Sequence, residues 1–190
     1  YAQKTYIPDD AFEQALINLD LDDIFDDSVY TSAIDTVVTL YLSNNGISDL
    51  TGIKDFIELT DLFCNGNQII NLDLSNNSNL FELNCSNNLL SSLDVRNGNN
   101  LGLWYFNSLN NPQLFCIAVN DIAYANYNWL KDSGSVFSTN CGISFFEDLH
   151  NQIKLIKILD VFGRIVIPKP NMQLIYIYSD GSVEKKIFLD

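Results

Sequence analysis

Few side chains in this sequence could do covalent or metal chemistry. There is one histidine, His150, in the polar stretch DLHNQ, and there are four cysteines, Cys64, Cys85, Cys116 and Cys141. A single imidazole excludes most histidine-ligated metal centres, and no serine or cysteine motif stands beside it to form a nucleophile–base pair. The sequence has no GxSxG and no glycine-rich phosphate loop. Carboxylates are plentiful: DLDDIFDD places Asp20, Asp22, Asp23, Asp26 and Asp27 within eight residues. That spacing is rich in oxygen, but it lacks the central glycine and distal glutamate of a calcium-binding loop. The expectation is a non-enzyme with no catalytic residue, no metal and no cofactor, and a solvated loop at 20–27. What remains is recognition, by aromatic, amide and carboxylate side chains set at fixed intervals.

Those intervals are the strongest signal in the chain. Leu59, Leu62, Cys64, Asn67, Ile69, Leu72, Asp73 and Leu74 recur 21 residues later as Leu80, Leu83, Cys85, Asn88, Leu90, Leu93, Asp94 and Val95. Upstream, Leu40, Leu42, Asn45, Ile47 and Leu50 precede the same pattern by 22, and downstream Leu101, Trp104 and Phe106 extend it by 21. A period of this size with LxLxxNxL spacing marks a leucine-rich repeat. In each coil a short strand points two apolar side chains inward. The chain then turns, and an asparagine amide satisfies backbone groups exposed inside the turn. Stacked coils bury one continuous core that no single coil could bury alone. Asn45, Asn67 and Asn88 are expected to form the ladder.

The residues flanking the inward leucines then face outward on the concave side. The middle column reads Tyr41, Phe63, Asn84 and Tyr105; its neighbours are Thr39, Asp61, Glu82 and Leu103 on one side and Ser43, Asn65, Ser86 and Asn107 on the other. Aromatics flanked by amides and acids form a candidate recognition strip. Tyr41, Phe63, Asn84, Tyr105, Asp61, Glu82, Asn65 and Asn107 are its expected ligand-binding residues. Cross-strand stacking that serves only the sheet is the other reading.

Elements at the two ends must close the stack. Residues 1–33 read as an N-terminal cap, in which Asp9 or Asp10 starts a helix with Phe12, Ala15, Leu16 and Leu19 on its inner face. Residues 34–115 hold the repeats. Residues 116–143 read as a C-terminal cap with a short helix near Asp121–Lys131, which turns Ile122, Ala125 and Trp129 inward, and with a Cys116–Cys141 disulfide worth about 3 kcal/mol. Cys64 and Cys85 would sit on adjacent strands as buried free thiols. Residues 144–190 change style to alternating β-branched and aromatic residues, with strands expected near 153–160, 164–168, 173–179 and 183–189 and a hairpin turn at Ser179–Asp180–Gly181. The fold class is an α/β repeat: a short solenoid of parallel strands with a helical N-cap and a disulfide-closed C-cap, followed by a small antiparallel β module.

Charge follows the same division. Residues 1–143 carry 4 Lys/Arg against 18 Asp/Glu, and residues 144–190 carry 6 of each. An acidic body argues against nucleic acid and anionic membranes as partners. No apolar run reaches the ~18 residues of a membrane helix, so no membrane insertion is expected. The opening YAQKTY lacks an initiator methionine and resembles the end of a signal-peptidase site, which points to export to the extracellular space or outer cell surface.

YIPDDAFEQALI, the LxxLxCxxNxLxxLDLSxN repeats and CIAVNDIAYANYNW together resemble the secreted leucine-rich-repeat proteins of Bacteroidetes-type bacteria. The tail, through ILDVFGRIV, LIYIYSDGS and VEKKIFLD, resembles the C-terminal sorting domains of type IX secretion cargo. It is shorter than those domains and lacks a YPNP-like opening strand. The resemblance implies an exported binding module for a protein or glycan, with secretion machinery reading residues 144–190 through Gly163, Arg164, Lys185 and Lys186. The alternative it leaves open is a scaffold subunit of a cell-surface assembly that retains its tail as an interface.

Overall fold

The computed structural model describes residues 2–141, 155–164, 172–178 and 183–188. It divides into two compact units, Tyr1–Cys141 and Gly142–Asp190. The first opens with β1 (Lys4–Tyr6), α1 (Asp10–Asn18), β2 (Ser28–Tyr30) and α2 (Thr31–Ile34). Parallel coils follow, in strands β3 (Thr39–Tyr41), β4 (Asp61–Phe63), β5 (Asn71–Asp73), β6 (Glu82–Asn84), β7 (Ser92–Asp94), β8 (Tyr105–Asn107), β9 (Cys116–Ala118) and β10 (Val136–Ser138), with α3 (Ile122–Asn128) before the last. The solenoid has two sheets, ordered β3-β4-β6-β8 and β5-β7-β9-β10. The second sheet follows from the LDL and LDV segments, whose alternation is as strand-like as that of the first.

The inward side chains make one continuous core. Leu40, Leu62, Leu83 and Phe106 line the first sheet, and Leu72, Leu93 and Ile117 line the second; all are at most 2% exposed. α1 seals the front. Its N-cap is Asp9, whose side chain accepts from Phe12 N, and Phe12, Ala15 and Leu16 are buried. Leu19, expected on the same face, is instead the C-cap residue and is exposed, because the chain leaves the helix there. At the back, Phe106, Trp129 and Phe137 pack together, with Phe106 and Trp129 stacked at 4.5 Å. The Trp129 indole donates to the Leu103 carbonyl. Cys116 and Cys141 are disulfide-bonded across this cap, and Cys64 and Cys85 are free and buried. α3 is capped by Asp121; Ala125 and Trp129 turn inward, while Ile122 is exposed.

The asparagine ladder is displaced one coil from its expected position. Asn67 donates to the carbonyls of Leu42 and Cys64 and accepts from Asn45 N and Ile47 N. Asn88 donates to Cys64 O and Cys85 O and accepts from Ile69 N. Asn111 repeats the pattern with Cys85 O, Ser108 O and Leu90 N. Asn45 is exposed, with its amide donating only to Ser43 O. Each rung bonds to the preceding coil, and no earlier repeat lies under Asn45. Asp132 ends the ladder by accepting from Asn110 N and Asn111 N.

The second unit contains β11 (Leu155–Asp160), β12 (Met172–Tyr178) and β13 (Val183–Phe188), an antiparallel sheet in that order. The expected strand at 164–168 begins in a turn: Gly163 has φ +80°, and its N–H donates to Asp160 O. Residues 165–168, the turn at Ser179–Asp180–Gly181 and His150 lie outside the described residues.

Candidate functional site

The outward face of the β3-β4-β6-β8 sheet, the face expected to be concave, is built by strict alternation. Leu40, Leu62, Leu83 and Phe106 take the core, so the residues on either side of each must face outward. Register puts Thr39, Asp61, Glu82 and Tyr105 in one row and Tyr41, Phe63, Asn84 and Asn107 in the next. A third row holds Ser43, Asn65, Ser86 and Leu109, where the Ser43 hydroxyl donates to Asn65 Oδ1 and the Ser86 hydroxyl donates to Asn84 Oδ1.

The first three coils stand as the spacing predicts. The fourth does not. Leu74 and Leu80, both buried, are six residues apart; the matching buried pair Val95 and Leu103 is eight apart. Two extra residues in the turn before β8 make Leu83 the partner of Phe106. Tyr105 therefore belongs beside Glu82, Asn107 takes the place in the middle row expected for Tyr105, and Leu103 is core. Leu101 and Trp104, aligned with core positions in the sequence, are 70% and 60% exposed.

The shift creates an aromatic pair that the sequence reading missed. Trp104 now follows Phe81: its N–H donates to Phe81 O, and the rings lie 5.9 Å apart. The Trp104 indole N–H points to Glu82 Oε1 at 3.4 Å. On the neighbouring strands the Tyr41 and Phe63 rings stack at 5.3 Å with planes 9° apart, which leaves Tyr41 66% exposed. Asp61 Oδ2 accepts from the hydroxyls of Thr39 and Thr60. Two aromatic pairs thus bracket two carboxylates. Hollows of about 440 Å³, lined by Pro112, Phe115 and Asp132 among others, and of about 300 Å³, lined by Lys54 and Asp73 among others, lie away from these three rows.

In the acidic loop Asp26 pairs with Lys4 at 2.8 Å and Asp22 accepts from Asp23 N; among the described residues no group of three or more ligating side chains is gathered closely enough to hold a metal. Buried Glu13 uses Oε1 to accept from Asp26 N and Ser28 N, tying the loop to α1. Burial pushes the Cys64 thiol up to about 12 and the Cys85 thiol well above its ordinary value, which removes both as nucleophiles. Among the described residues, no helix is long and apolar enough to cross a membrane.

In the second unit, Asp160 organises the turn that holds Gly163 and Arg164, two of the four expected sorting residues. Its Oδ1 accepts from Phe162 N and Arg164 N, and its Oδ2 from Arg164 Nε and Nη2, both at 2.7 Å. The guanidinium, its side chain 73% exposed, covers the Phe162 ring. Its hydrogen bonds hold the Asp160 carboxyl below the usual range. Lys185 and Lys186 lie in β13, opposite Ile175 and Leu174.

No protein-family model matches the chain, and no curated protein matches it. Among solved structures it is similar to internalins, the leucine-rich-repeat proteins of Listeria. The functional domain of InlJ from Listeria monocytogenes, which includes a cysteine ladder, matches at TM-score 0.50 and 27% identity over 74% of this chain and 29% of that one. The internalin InlF of the same species matches at TM-score 0.47 and 18% identity, over 68% of this chain and 44% of that one. The chain therefore spans less than half the length of either. Here Cys64 and Cys85 occupy one inward position on adjacent coils, between Leu42 and Ser108.

Proposed function

We propose that the repeat unit is a non-catalytic binding module, exported and displayed outside the cell, that takes a protein or glycan ligand on the outward face of the β3-β4-β6-β8 sheet. The observation that carries this reading is the exposure of large aromatics there. Tyr41 and Trp104 present most of their surface to water on a face whose structural work is done by the inward row. Rings this exposed favour a macromolecule over a small molecule, which needs an enclosing pocket. The likeness to internalin repeat domains supports a surface protein-binding role. Residues 144–190 act as the sorting signal in this reading, supported by the motifs around Gly163 and Arg164, and the units follow the boundaries 1–33, 34–115, 116–143 and 144–190.

The test is a triple variant, Tyr41→Ala, Phe63→Ala and Trp104→Ala, screened beside the wild type against immobilised surface proteins and a glycan array. Loss of captured ligands with a melting temperature within a few degrees of wild type is expected. Capture equal to wild type would place the binding surface elsewhere.

A further inference from the structure

The outward face sets two acids side by side. Asp61 and Glu82 are direct register partners on adjacent parallel strands. Neighbouring strands run ~4.8 Å apart, and like charges side by side at that spacing destabilise a sheet. Two other acids of this unit are paired with cations: Asp26 with Lys4, and Asp94, the register partner of Asp73, with Arg96. Here the partners are the hydroxyls of Thr39 and Thr60 and the Trp104 indole, all neutral. These donors fix the carboxylates in place without cancelling their charge.

None of the unit's four cations reaches this face. Lys4 and Arg96 are occupied as above, Lys131 donates to Ser135 O and lies over the Phe137 ring, and Lys54 sits in the 3₁₀ turn Ile53–Asp55 beside the hollow that contains Asp49 and Asp73. The three rows on β3, β4, β6 and β8 contain two carboxylates and no lysine or arginine. Around the carboxylates stand Tyr41, Phe63, Trp104 and Tyr105. An aromatic face next to a carboxylate suits a guanidinium or ammonium group, which gains from the ring quadrupole and the anion together.

We propose that the ligand is a cationic protein segment, an extended stretch whose Arg or Lys side chains sit between the Asp61–Glu82 pair and the rings of Trp104 and Tyr41. This rests on the reading of this face as the binding surface and adds the ligand's charge. The four strands span ~14 Å, room for about four residues of extended chain, so two alternate side chains can meet the face. A neutral glycan would use the aromatic rings but would leave the paired carboxylates repelling each other.

The experiment uses the full 190-residue chain and two fluorescently labelled peptides, acetyl-(Arg-Ser)4-amide and its neutral citrulline isostere, with anisotropy as the readout. A cationic ligand site binds the arginine peptide at least tenfold more tightly than the citrulline one. Asp61→Asn with Glu82→Gln weakens that binding at least tenfold and leaves the melting temperature equal to or above wild type, since it removes a repulsion. Asp23→Asn with Asp27→Asn removes the same net charge outside the face and changes affinity less than threefold. Equal binding of the citrulline peptide, or equal weakening by both double variants, overturns the proposal. So does a lower melting temperature for Asp61→Asn with Glu82→Gln, which would make the acid pair structural. If the aromatic triple variant loses captured glycans while neither peptide binds, the face stands as the binding surface and only the ligand's charge is wrong.

Discussion

The Asp9 carboxylate joins two parts of the chain 39 residues apart: Oδ2 accepts from both the amide and the hydroxyl of Ser48, while Oδ1 caps α1 through Phe12 N. A third donor, Asp49 N, converges on the same oxygen. One side chain thus starts the capping helix and ties it to the turn of the first coil. Asp9→Ala should cost roughly 2–3 kcal/mol, the sum of a lost N-cap and unsatisfied turn donors. Chemical denaturation checks this, and a loss under 0.5 kcal/mol would mean that the cap holds without it.

Acid should loosen the same joint. Partial burial pushes the Asp9 carboxyl up, but the hydrogen bonds from Ser48, Phe12 and Asp49 outweigh it, so the group titrates below its ordinary 3.8. A depressed carboxyl contributes stability in full above the unfolded value and loses it as pH falls through the folded one. Stability should therefore hold down to about pH 4 and fall below it, with a smaller fall in Asp9→Asn. Melting temperatures from pH 6 to 2 measure this, and parallel curves for the two proteins would rule Asp9 out as a source.

Asn88 and Asn45 should respond very differently to alanine. Asn88 is buried with four backbone partners, and its loss strands them, at a cost of roughly 2–4 kcal/mol. Asn45 is exposed, and its replacement should stay within about 0.5 kcal/mol. Urea midpoints of the two variants settle the comparison; similar losses would put Asn45 in the ladder after all.

Cys64 and Cys85 should resist a thiol reagent until the chain unfolds, since both are buried with raised pKa values. Two thiols should then react in denaturant without reductant. Breaking Cys116–Cys141 with a reductant should lower stability by about 3 kcal/mol. Fast labelling under native conditions would show that the coils open locally.

In the tail the carboxylate should matter more than the cation. Asp160 holds two backbone N–H groups of the turn, so Asp160→Ala should unfold it, whereas Arg164→Lys keeps a donor near Oδ2 and should be tolerated within about 0.5 kcal/mol. Normal folding of Arg164→Lys with accumulation in the periplasm would mark Arg164 as a residue read by secretion machinery. Unimpaired export after deletion of residues 144–190 would end the sorting reading.

The sequence alone determined what periodicity encodes. Leucines recurring at 21 and 22 specify coils, inward rows and a repeat stack, because burial of one apolar face is a local property of each LxL. The cap helix, with a start at Asp9 or Asp10, and the Cys116–Cys141 closure were legible for similar reasons, as capping residues and spare cysteines are local signs; the structure chose Asp9. What depends on the neighbouring coil was not legible. Asn45 sits at the same spacing from its flanking apolar residues, Leu42 and Ile47, as Asn67 does from Cys64 and Ile69, but lacks a repeat beneath it. NGNNL at 97–101 resembles NNSNL at 76–80, and only packing of Leu103 and Phe106 against Leu80 and Leu83 shows that the fourth coil is two residues longer. That insertion moves Tyr105 beside Glu82 and brings Trp104 next to Phe81, so the composition of the candidate binding face was decided by tertiary register.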